Sequence, residues 1–229
     1  MALETDYLIG VFLKNHHCQP VKTRLAKSIG VENAREIYTL MIKILLDTLA
    51  GFPRERVHLA VMGGGEGLDY PYPMEAQSSG DLGEKMSKFF QDKLSKFSRV
   101  LLIGTDCPYT SVEPLSRALT ELEHSEAVFQ PAFDGGYTLI GLRSFIPALF
   151  QEIPWSSERV MGASRQILSQ SEISFSELDC ARDIDTWEDL QLWFQETDSR
   201  ILDQYFCEGE VSSEILRLRA EALLKSSSQ

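Results

Sequence analysis

The sequence predicts an α/β fold, in which a mostly parallel β-sheet is covered by helices on both faces. Apolar runs of strand length alternate with longer segments whose apolar residues recur at helical spacing, and this alternation is typical of a parallel sheet. The chain has 229 residues, 43% of them hydrophobic, which is enough for the core of one globular domain. In open sheets of this type the ligand binds beyond the carboxyl ends of the strands. We therefore expect the functional residues on loops that follow strands.

Strands and helices alternate along the N-terminal half. The apolar run "DYLIGVFL" predicts a buried strand over residues 6–13. Apolar residues three and four positions apart then predict a helix over 31–51, which Gly51 ends. The same reasoning predicts a strand over 56–62, a helix over 81–97, a strand over 99–104 and a helix from Ser111 to about Leu122. The stretch "GGGEGLDYPYP" is predicted to be a loop.

The C-terminal half starts with two predicted strands, 127–132 and 137–142, joined by the glycine turn "FDGG". A helix over 157–169 and a strand over 172–178 follow. Thr186 and Asp189 have the spacing of a capping box at the start of the next helix. Near the C-terminus the apolar residues again recur at helical spacing. We predict one domain over residues 1–198, with a C-terminal helical extension of the same domain over 199–229.

The charge balance and the cysteines limit the function classes. The formal net charge is −12 at pH 7, and nucleic acids and anionic membranes repel such a chain. A small phosphorylated substrate is compatible, because a local basic pocket or a cation held by carboxylates can overcome the global field. The four cysteines are scattered without a Cys-x-x-Cys pair, which favours reduced thiols. Because no secretory leader or bilayer-spanning run is evident, we expect the protein in the cytoplasm.

Basic residues cluster where the first strand is followed by a helix. Lys14 ends the strand, and Lys22 and Arg24 lie near the start of the helix. Backbone N–H groups at a helix N-terminus, together with cationic side chains, bind phosphate groups well. The three residues are therefore candidates for binding a diphosphate. The alternative is an ordinary solvated basic helix start, and spacing alone does not decide between the two.

Carboxylates follow two later strands. Asp106 comes after the apolar run "LLIG", so we expect it at the carboxyl end of that strand. There it can hold a divalent cation that bridges phosphate oxygens, but on this segment alone a turn cap before Pro108 is the favoured interpretation. In "ARDID", Asp183 and Asp185 alternate along an extended segment and should face opposite ways. Of these two, Asp185 is the candidate for the site, as a second carboxylate.

The segment "DGGY", residues 134–137, has two interpretations. Gly135 and Gly136 permit positive φ and close approach of a ligand to the backbone. Asp134 and Tyr137 would then face an acceptor. Asp-Gly is also a strong hairpin signal, and without further information the hairpin is favoured.

Six segments, taken in order, are more specific than any one of them. They are "FLK…VKTRLAKSIG", "QSSGDLGEKM", "LLIGTDCP", "PAFDGGYTLIGL", "PWSSERVM" and "DIDTWEDL". This set resembles a bacterial family of nucleotide-diphospho-sugar transferase-like proteins, some of which are described as glycosyltransferases of arsenosugar biosynthesis. The family is similar to the guanylyltransferases that make precursors of molybdenum cofactor and coenzyme F420. The resemblance runs from about Tyr7 to Phe194.

The resemblance implies a three-layer, Rossmann-like GT-A fold that binds a nucleotide diphosphate, usually with Mg²⁺ or Mn²⁺. It implies roles for residues already named: phosphate binding for Lys14, Lys22 and Arg24, metal binding for Asp106 and Asp185, and the acceptor side for Gly135, Gly136 and Tyr137. Asp106 and Asp134 are the candidate catalytic residues, the second as acceptor base.

The resemblance implies a transferase, and three functions stay open. The first is a glycosyltransferase that uses a nucleotide-diphosphate sugar, a divalent metal and a small-molecule acceptor. The second is a guanylyltransferase-like nucleotidyltransferase, which acts on a nucleoside triphosphate and a small phosphorylated or cofactor precursor. The third is a non-catalytic nucleotide-binding protein. Gln19 suggests the third, because it stands where the family usually has glycine, and positive φ there would strain it. No nucleic acid or membrane partner is expected, and a homodimer is one option.

Overall fold

The computed structural model describes residues 6–198, 202–206 and 211–226, which include a seven-stranded mixed sheet. Its strands are β1 (Tyr7–Lys14), β2 (Val57–Met62), β3 (Met74–Ala76), β4 (Arg99–Ile103), β5 (Ala127–Pro131), β6 (Tyr137–Leu142) and β7 (Phe175–Glu177). They lie in the order β3-β2-β1-β4-β6-β5-β7. Only β6 runs antiparallel to its neighbours, β4 and β5. The predicted α/β class with a mostly parallel mixed sheet is confirmed.

Helices cover both faces of this sheet. They are α1 (Thr23–Ile29), α2 (Val31–Leu49), α3 (Leu82–Leu94), α4 (Val112–Glu121), α5 (Val160–Gln170), α6 (Trp187–Glu196) and α7 (Ser213–Ser226). Ile9, Val11 and Leu13 of β1 point to the face that α2 and α4 cover. Leu8 points to the other face, which α3 and α5 cover. The sheet is thus the middle of three layers, and burial on both sides explains why its central strands are almost continuous apolar runs.

A separate hydrophobic cluster lies beside the sheet and joins α1, α2, α6 and α7. Trp193 and Phe194 of α6 are almost fully buried in it, together with Ile215 of α7. The described part of the predicted extension 199–229 therefore packs on the main body. Residues 199–201, 207–210 and 227–229 lie outside the described residues, and a boundary at residue 198 stays a prediction. No helix within the described ranges is both long enough and apolar enough to cross a membrane.

Three details of the chain trace bear on the prediction. β3 is a short edge strand that follows the predicted loop 63–73, where no strand was predicted, and its three residues are exposed, so it has no apolar signature. α1 is a short additional helix, separated from α2 by Gly30, whose φ of 86° interrupts the helical backbone. The predicted hairpin is confirmed, because β5 and β6 pair antiparallel around residues 132–136.

Candidate active site

A cavity of about 660 Å³ lies at the edge of the sheet where β1, β2 and β4 end. Lys14 and Met62 end β1 and β2 there, and Asp106 lies just beyond the end of β4. Because β6 runs antiparallel to β4, its amino end reaches the same edge and adds Tyr137 and Thr138 to the lining. A cavity of this volume at this edge is the usual ligand site of an open α/β sheet.

The Lys22 ammonium lies between the two carboxylates that the sequence nominates as metal ligands. Its Nζ is 2.6 Å from Oδ1 of Asp106 and 3.4 Å from Oδ1 of Asp185. It also donates a hydrogen bond of 2.5 Å to the carbonyl oxygen of Ile184. An ammonium has three N–H donors, and three oxygens surround this one. The Lys22 side chain is only 3% exposed, against 52% for Asp106 and 38% for Asp185.

Backbone contacts fix the loops that carry these three side chains. The amide of Ile184 donates to the carbonyl of Asp106 at 2.8 Å, so the loop after β4 is held against the segment that precedes α6. That segment leads into α6 through the predicted capping box, in which Thr186 and Asp189 bond each other's backbone. Lys22 is the residue before α1, and its carbonyl accepts the amide of Ala26. These backbone contacts hold the loops in place without help from the ion pairs of Lys22.

Lys22 has left-handed backbone geometry, with φ 45° and ψ 47°. This conformation costs a non-glycine residue about 1–2 kcal/mol. The geometry lets the chain turn sharply into α1 while the Lys22 side chain points inward. Positive φ in this loop thus falls on Lys22, and Gln19 is not among the positive-φ residues. The expected strain at Gln19 is wrong, and its side chain instead packs close to Gly63.

Asn15 fixes the first part of the basic loop. Its side-chain amide donates to the carbonyls of Gly64 and Glu66 at 3.0 and 2.9 Å, and its Oδ1 accepts the amide of His17. Asn15 is buried, so these bonds tie the loop after β1 to the loop after β2. The loop is therefore anchored by the side-chain hydrogen bonds of Asn15.

Three further basic side chains line the cavity. Arg24 is largely exposed and lies 3.6 Å from Oδ2 of Asp185. Lys14 is exposed at the end of β1, and within the described residues it forms no salt bridge. Lys85, on the first turns of α3, also lines the cavity, although sequence reasoning did not single it out. Four basic side chains thus face the cavity against the two carboxylates of Asp106 and Asp185.

Asp183 and Asp185 are placed differently, as their alternation predicted. Asp185 lines the cavity, whereas Asp183 is not part of its lining. Burial, and then the negative charge of Asp134, raise the pKa of Asp183 to about 6. Asp183 therefore resists ionisation, and the Lys22 and Arg24 cations pair with Asp185.

The hairpin residues divide between the cavity and the turn. Tyr137 lines the cavity, whereas Asp134, Gly135 and Gly136 are not part of its lining. Asp134 accepts the amide of Gly136 through Oδ1 at 2.8 Å, which stabilises the turn. Gly135 has φ 88°, and a Cβ atom there would lie 2.1 Å from the carbonyl oxygen of Glu158. Gly135 thus has a structural reason for its place, and roles of the turn residues toward an acceptor stay predictions.

Two aromatic residues shape the site without having been predicted to do so. The Tyr38 hydroxyl accepts the Lys14 amide at 2.8 Å and the Thr105 hydroxyl at 3.3 Å, so α2 supports the ends of β1 and β4. Burial raises the pKa of Tyr38 to about 12, which keeps it a neutral hydrogen-bonding group. Trp155 packs directly on Gly83, where a Cβ atom would lie 2.5 Å from its Nε1. Trp155 belongs to the segment "PWSSERVM", and the next residue, Ser156, lines the cavity.

Asp106 and Asp185 are the residues that could hold a divalent cation. Their Oδ1 atoms already converge on one positive charge, the Lys22 ammonium. Mg²⁺ is usually held by one or two carboxylates and completed by water and substrate phosphates. In the part of the chain that the structure describes, no three His, Cys, Asp or Glu residues form a group that could hold a metal. The donor set therefore fits a cation shared with a phosphorylated substrate.

Comparison with known proteins shows what the whole chain is similar to. The bacterial family described as "Uncharacterized protein conserved in bacteria (DUF2064)" matches residues 46–157. A candidate nucleotide-diphospho-sugar transferase from Desulfovibrio desulfuricans G20 is similar over 96% of this chain and 97% of that chain, with 29% identity and a TM-score of 0.82. The nucleotide-diphospho-sugar transferase-like resemblance is confirmed. The predicted fold is confirmed with it.

More distant structures share this nucleotide-diphospho-sugar transferase-like fold. A cytidylyltransferase from Leptospira borgpetersenii serovar Hardjo-bovis is 15% identical over 98% of this chain and 96% of that chain, with a TM-score of 0.53. The protein Rv0371C from Mycobacterium tuberculosis H37Rv, solved in complex with manganese, is 14% identical over 84% of this chain and 100% of that chain, with a TM-score of 0.50. At these identities the likeness shows the fold alone. The search of curated proteins found no match.

Proposed function

We propose that the chain is a glycosyltransferase that moves a glycosyl group from a nucleotide-diphosphate sugar to a small-molecule acceptor. The observation that carries the proposal is the meeting of three predicted phosphate ligands and two predicted metal ligands around one cavity: Lys14, Lys22, Arg24, Asp106 and Asp185. The relative from Desulfovibrio desulfuricans, a candidate nucleotide-diphospho-sugar transferase, supports the donor class.

The charge distribution suits a diphosphate leaving group. The whole chain carries a net charge of −12, yet basic side chains outnumber acidic ones in the cavity. As the bond to the sugar breaks, negative charge grows on the departing diphosphate. Lys14, Arg24 and Lys85 line the cavity, so their positive charges lie near that position, where cations stabilise a developing negative charge.

In the proposed reaction the acceptor's nucleophile forms a bond to the anomeric carbon of the sugar. The bond from that carbon to the β-phosphate oxygen breaks, and the nucleoside diphosphate leaves with the electron pair. The acceptor's proton passes to a base, for which Asp134 is proposed, although it lies outside the cavity lining, so the acceptor would have to extend past Tyr137 and Thr138 toward the turn. A divalent cation, when bound, would neutralise diphosphate charge, and Asp106 and Asp185 would hold it.

A nucleotidyltransferase is the second candidate, because the fold is shared with the cytidylyltransferase from Leptospira borgpetersenii. In that reaction an acceptor phosphate would attack the α-phosphate of a nucleoside triphosphate, and pyrophosphate would leave. The same basic residues would stabilise either leaving group. Fold alone does not separate the two reactions.

Thermal-shift measurements first test whether the protein binds the proposed donors. The ligands are nucleotide sugars and nucleoside triphosphates, each with and without Mn²⁺. We expect nucleotide sugars to raise Tm in a metal-dependent way, because ligands that bind only the native state stabilise it. Arg24→Met should reduce the shift. The matched control is Lys27→Met, which removes a basic residue of α1 that does not line this cavity, and it should keep the shift.

Product analysis then separates the candidates. Release of a nucleoside diphosphate from a nucleotide sugar, dependent on an acceptor, is the expected result. Release of pyrophosphate from a triphosphate would instead favour nucleotidyl transfer. Binding that needs no metal and is followed by no turnover would overturn both and favour a non-catalytic nucleotide-binding protein.

A further inference from the structure

We infer that Lys22 is a resident cation of the Asp106–Asp185 pair, which a divalent ion must displace, so that metal and diphosphate bind cooperatively. The inference rests on the proposed function, because it concerns the metal and the phosphates of the same site. It goes beyond that function by assigning Lys22 two alternative partners. Without ligands these are the two carboxylates, and with ligands the partner is the diphosphate.

The first argument is the completeness of the contacts that Lys22 makes. Its Nζ is bonded to Oδ1 of Asp106 at 2.6 Å, to the carbonyl of Ile184 at 2.5 Å and to Oδ1 of Asp185 at 3.4 Å. All three N–H donors therefore have an acceptor within the protein. The side chain is 3% exposed, so its charge is compensated by these oxygens rather than by water. A solvated lysine that bound only phosphate would not have these three acceptors within the protein.

The second argument is electrostatic. A dication held by Oδ1 of both Asp106 and Asp185 would compete with the Lys22 ammonium for the same two atoms. Positive charges a few ångströms apart repel strongly in a partly buried site, so a dication on this pair and the Lys22 ammonium destabilise each other. Binding of the ion thus requires Lys22 to leave the pair.

The third argument is that the displaced ammonium needs a new anion. A buried ammonium without a partner is costly, because the loss of hydration is not repaid. Lys22 lines the cavity, where the proposed diphosphate would lie. The diphosphate would therefore accept the ammonium that the dication displaces. Without a nucleotide, no anion accepts the displaced Lys22 ammonium, and the affinity of the two carboxylates for the metal is therefore low.

This competition predicts a reciprocal coupling. If a nucleoside diphosphate raises the affinity for the metal by some factor, the metal must raise the affinity for the nucleotide by the same factor. Couplings between sites are typically about 5–150-fold. Removal of the Lys22 charge should strengthen metal binding in the absence of nucleotide and reduce the coupling.

The test is a titration with Mn²⁺, with free Mn²⁺ measured by its EPR signal, in wild-type protein, Lys22→Met and Lys27→Met. Without nucleotide, we expect Lys22→Met to bind Mn²⁺ at least about fivefold tighter than wild type. Lys27→Met removes the same charge from the exposed surface of α1, so it measures the general electrostatic effect, and it should stay within about twofold of wild type. Saturating nucleoside diphosphate should tighten Mn²⁺ binding more in wild type than in Lys22→Met.

Equal or weaker Mn²⁺ binding by Lys22→Met, without nucleotide, would overturn the inference. Asp106→Asn in the Lys22→Met background should abolish the gain. If it does not, the ion binds elsewhere and the inference is also overturned. Circular dichroism and Tm check that the variants fold, and Lys22→Gln, which keeps a polar side chain, replaces Lys22→Met if that variant does not fold. Because the decisive comparison contains no nucleotide, it gives a result even if the proposed glycosyl transfer fails.

Discussion

The Nζ atom of Lys22 lies 2.6 Å from Oδ1 of Asp106, and this ion pair joins the loop after β1 to the loop after β4. A residue nominated for phosphate binding and one nominated for metal binding thus contact each other directly. Their partnership defines where a diphosphate and a divalent ion would meet.

Asp106→Asn should weaken metal-dependent nucleotide binding. Asparagine keeps the size of the side chain but removes the charge that a divalent cation needs. We expect the affinity for a nucleoside diphosphate in Mn²⁺ to fall by at least about tenfold, within the range that coupled sites show. Calorimetric titration measures it. Glu188→Gln, at an exposed position on α6, is the matched control and should leave the affinity unchanged. An equal loss in both variants would show that overall charge, and not this carboxylate, sets the affinity.

Gly83→Ala should destabilise the fold through its contact with Trp155. A Cβ atom at position 83 would lie 2.5 Å from Nε1 of Trp155 and 2.7 Å from the carbonyl of Phe150. Overpacking of this kind costs about 1–3 kcal/mol. Gly162→Ala is the matched control, because nothing lies within 4 Å of its Cβ position in α5, and it should stabilise by about 0.5 kcal/mol. Urea unfolding measures both, and a Gly83→Ala protein as stable as wild type would contradict the packing.

Gly135→Ala should lower the free energy of unfolding more than Gly64→Ala does, although both glycines have positive φ. Gly135 and Gly64 have φ 88° and 77°, so alanine is strained at both by about 1–2 kcal/mol. Only at Gly135 would the new Cβ meet backbone, the carbonyl oxygen of Glu158 at 2.1 Å, and this adds about 1–3 kcal/mol. The difference in the free energy of unfolding between the two variants isolates the close approach. Equal losses of unfolding free energy in the two variants would mean that backbone strain alone explains why position 135 is glycine.

The stability of the protein should fall in acid partly because of His58. Burial, followed by the charge of Lys93, lowers the pKa of His58 below its ordinary 6.5. As the pH falls through 6.5, the unfolded chain takes up a proton that the folded protein resists, so the free energy of unfolding decreases. His58→Gln should make this decrease smaller between pH 8 and pH 5, as urea unfolding at each pH can measure. An unchanged pH dependence would show that the His58 environment does not oppose protonation.

The sequence predicted the central strands because they are buried on both faces. β1 and β4 are apolar along almost their whole length, and this signal survives without any knowledge of tertiary structure. β3 was missed because its residues, Met74–Ala76, are exposed at an edge and follow a proline-rich loop. Such a strand is defined by its pairing with β2 and not by its composition.

The candidate site was predictable where its residues directly follow strands. Lys14 ends β1 and Asp106 follows β4, and both were nominated for that reason. Asp185 was nominated from its alternation with Asp183 in the segment after β7, and the cavity lining includes all three. Lys85 and Tyr38 were not nominated, because on α3 and α2 they have the pattern of ordinary helix surface and helix core. The contact between Lys22 and the two carboxylates was not predictable, since it depends on how three distant loops are placed in space.

The most direct test of the account is anomalous diffraction from crystals grown with Mn²⁺ and a nucleoside diphosphate. The account predicts a manganese peak between Asp106 and Asp185, with the diphosphate against Lys14, Lys22 and Arg24. A manganese peak elsewhere, or a nucleotide bound outside this cavity while Lys22 stays on both carboxylates, would contradict it.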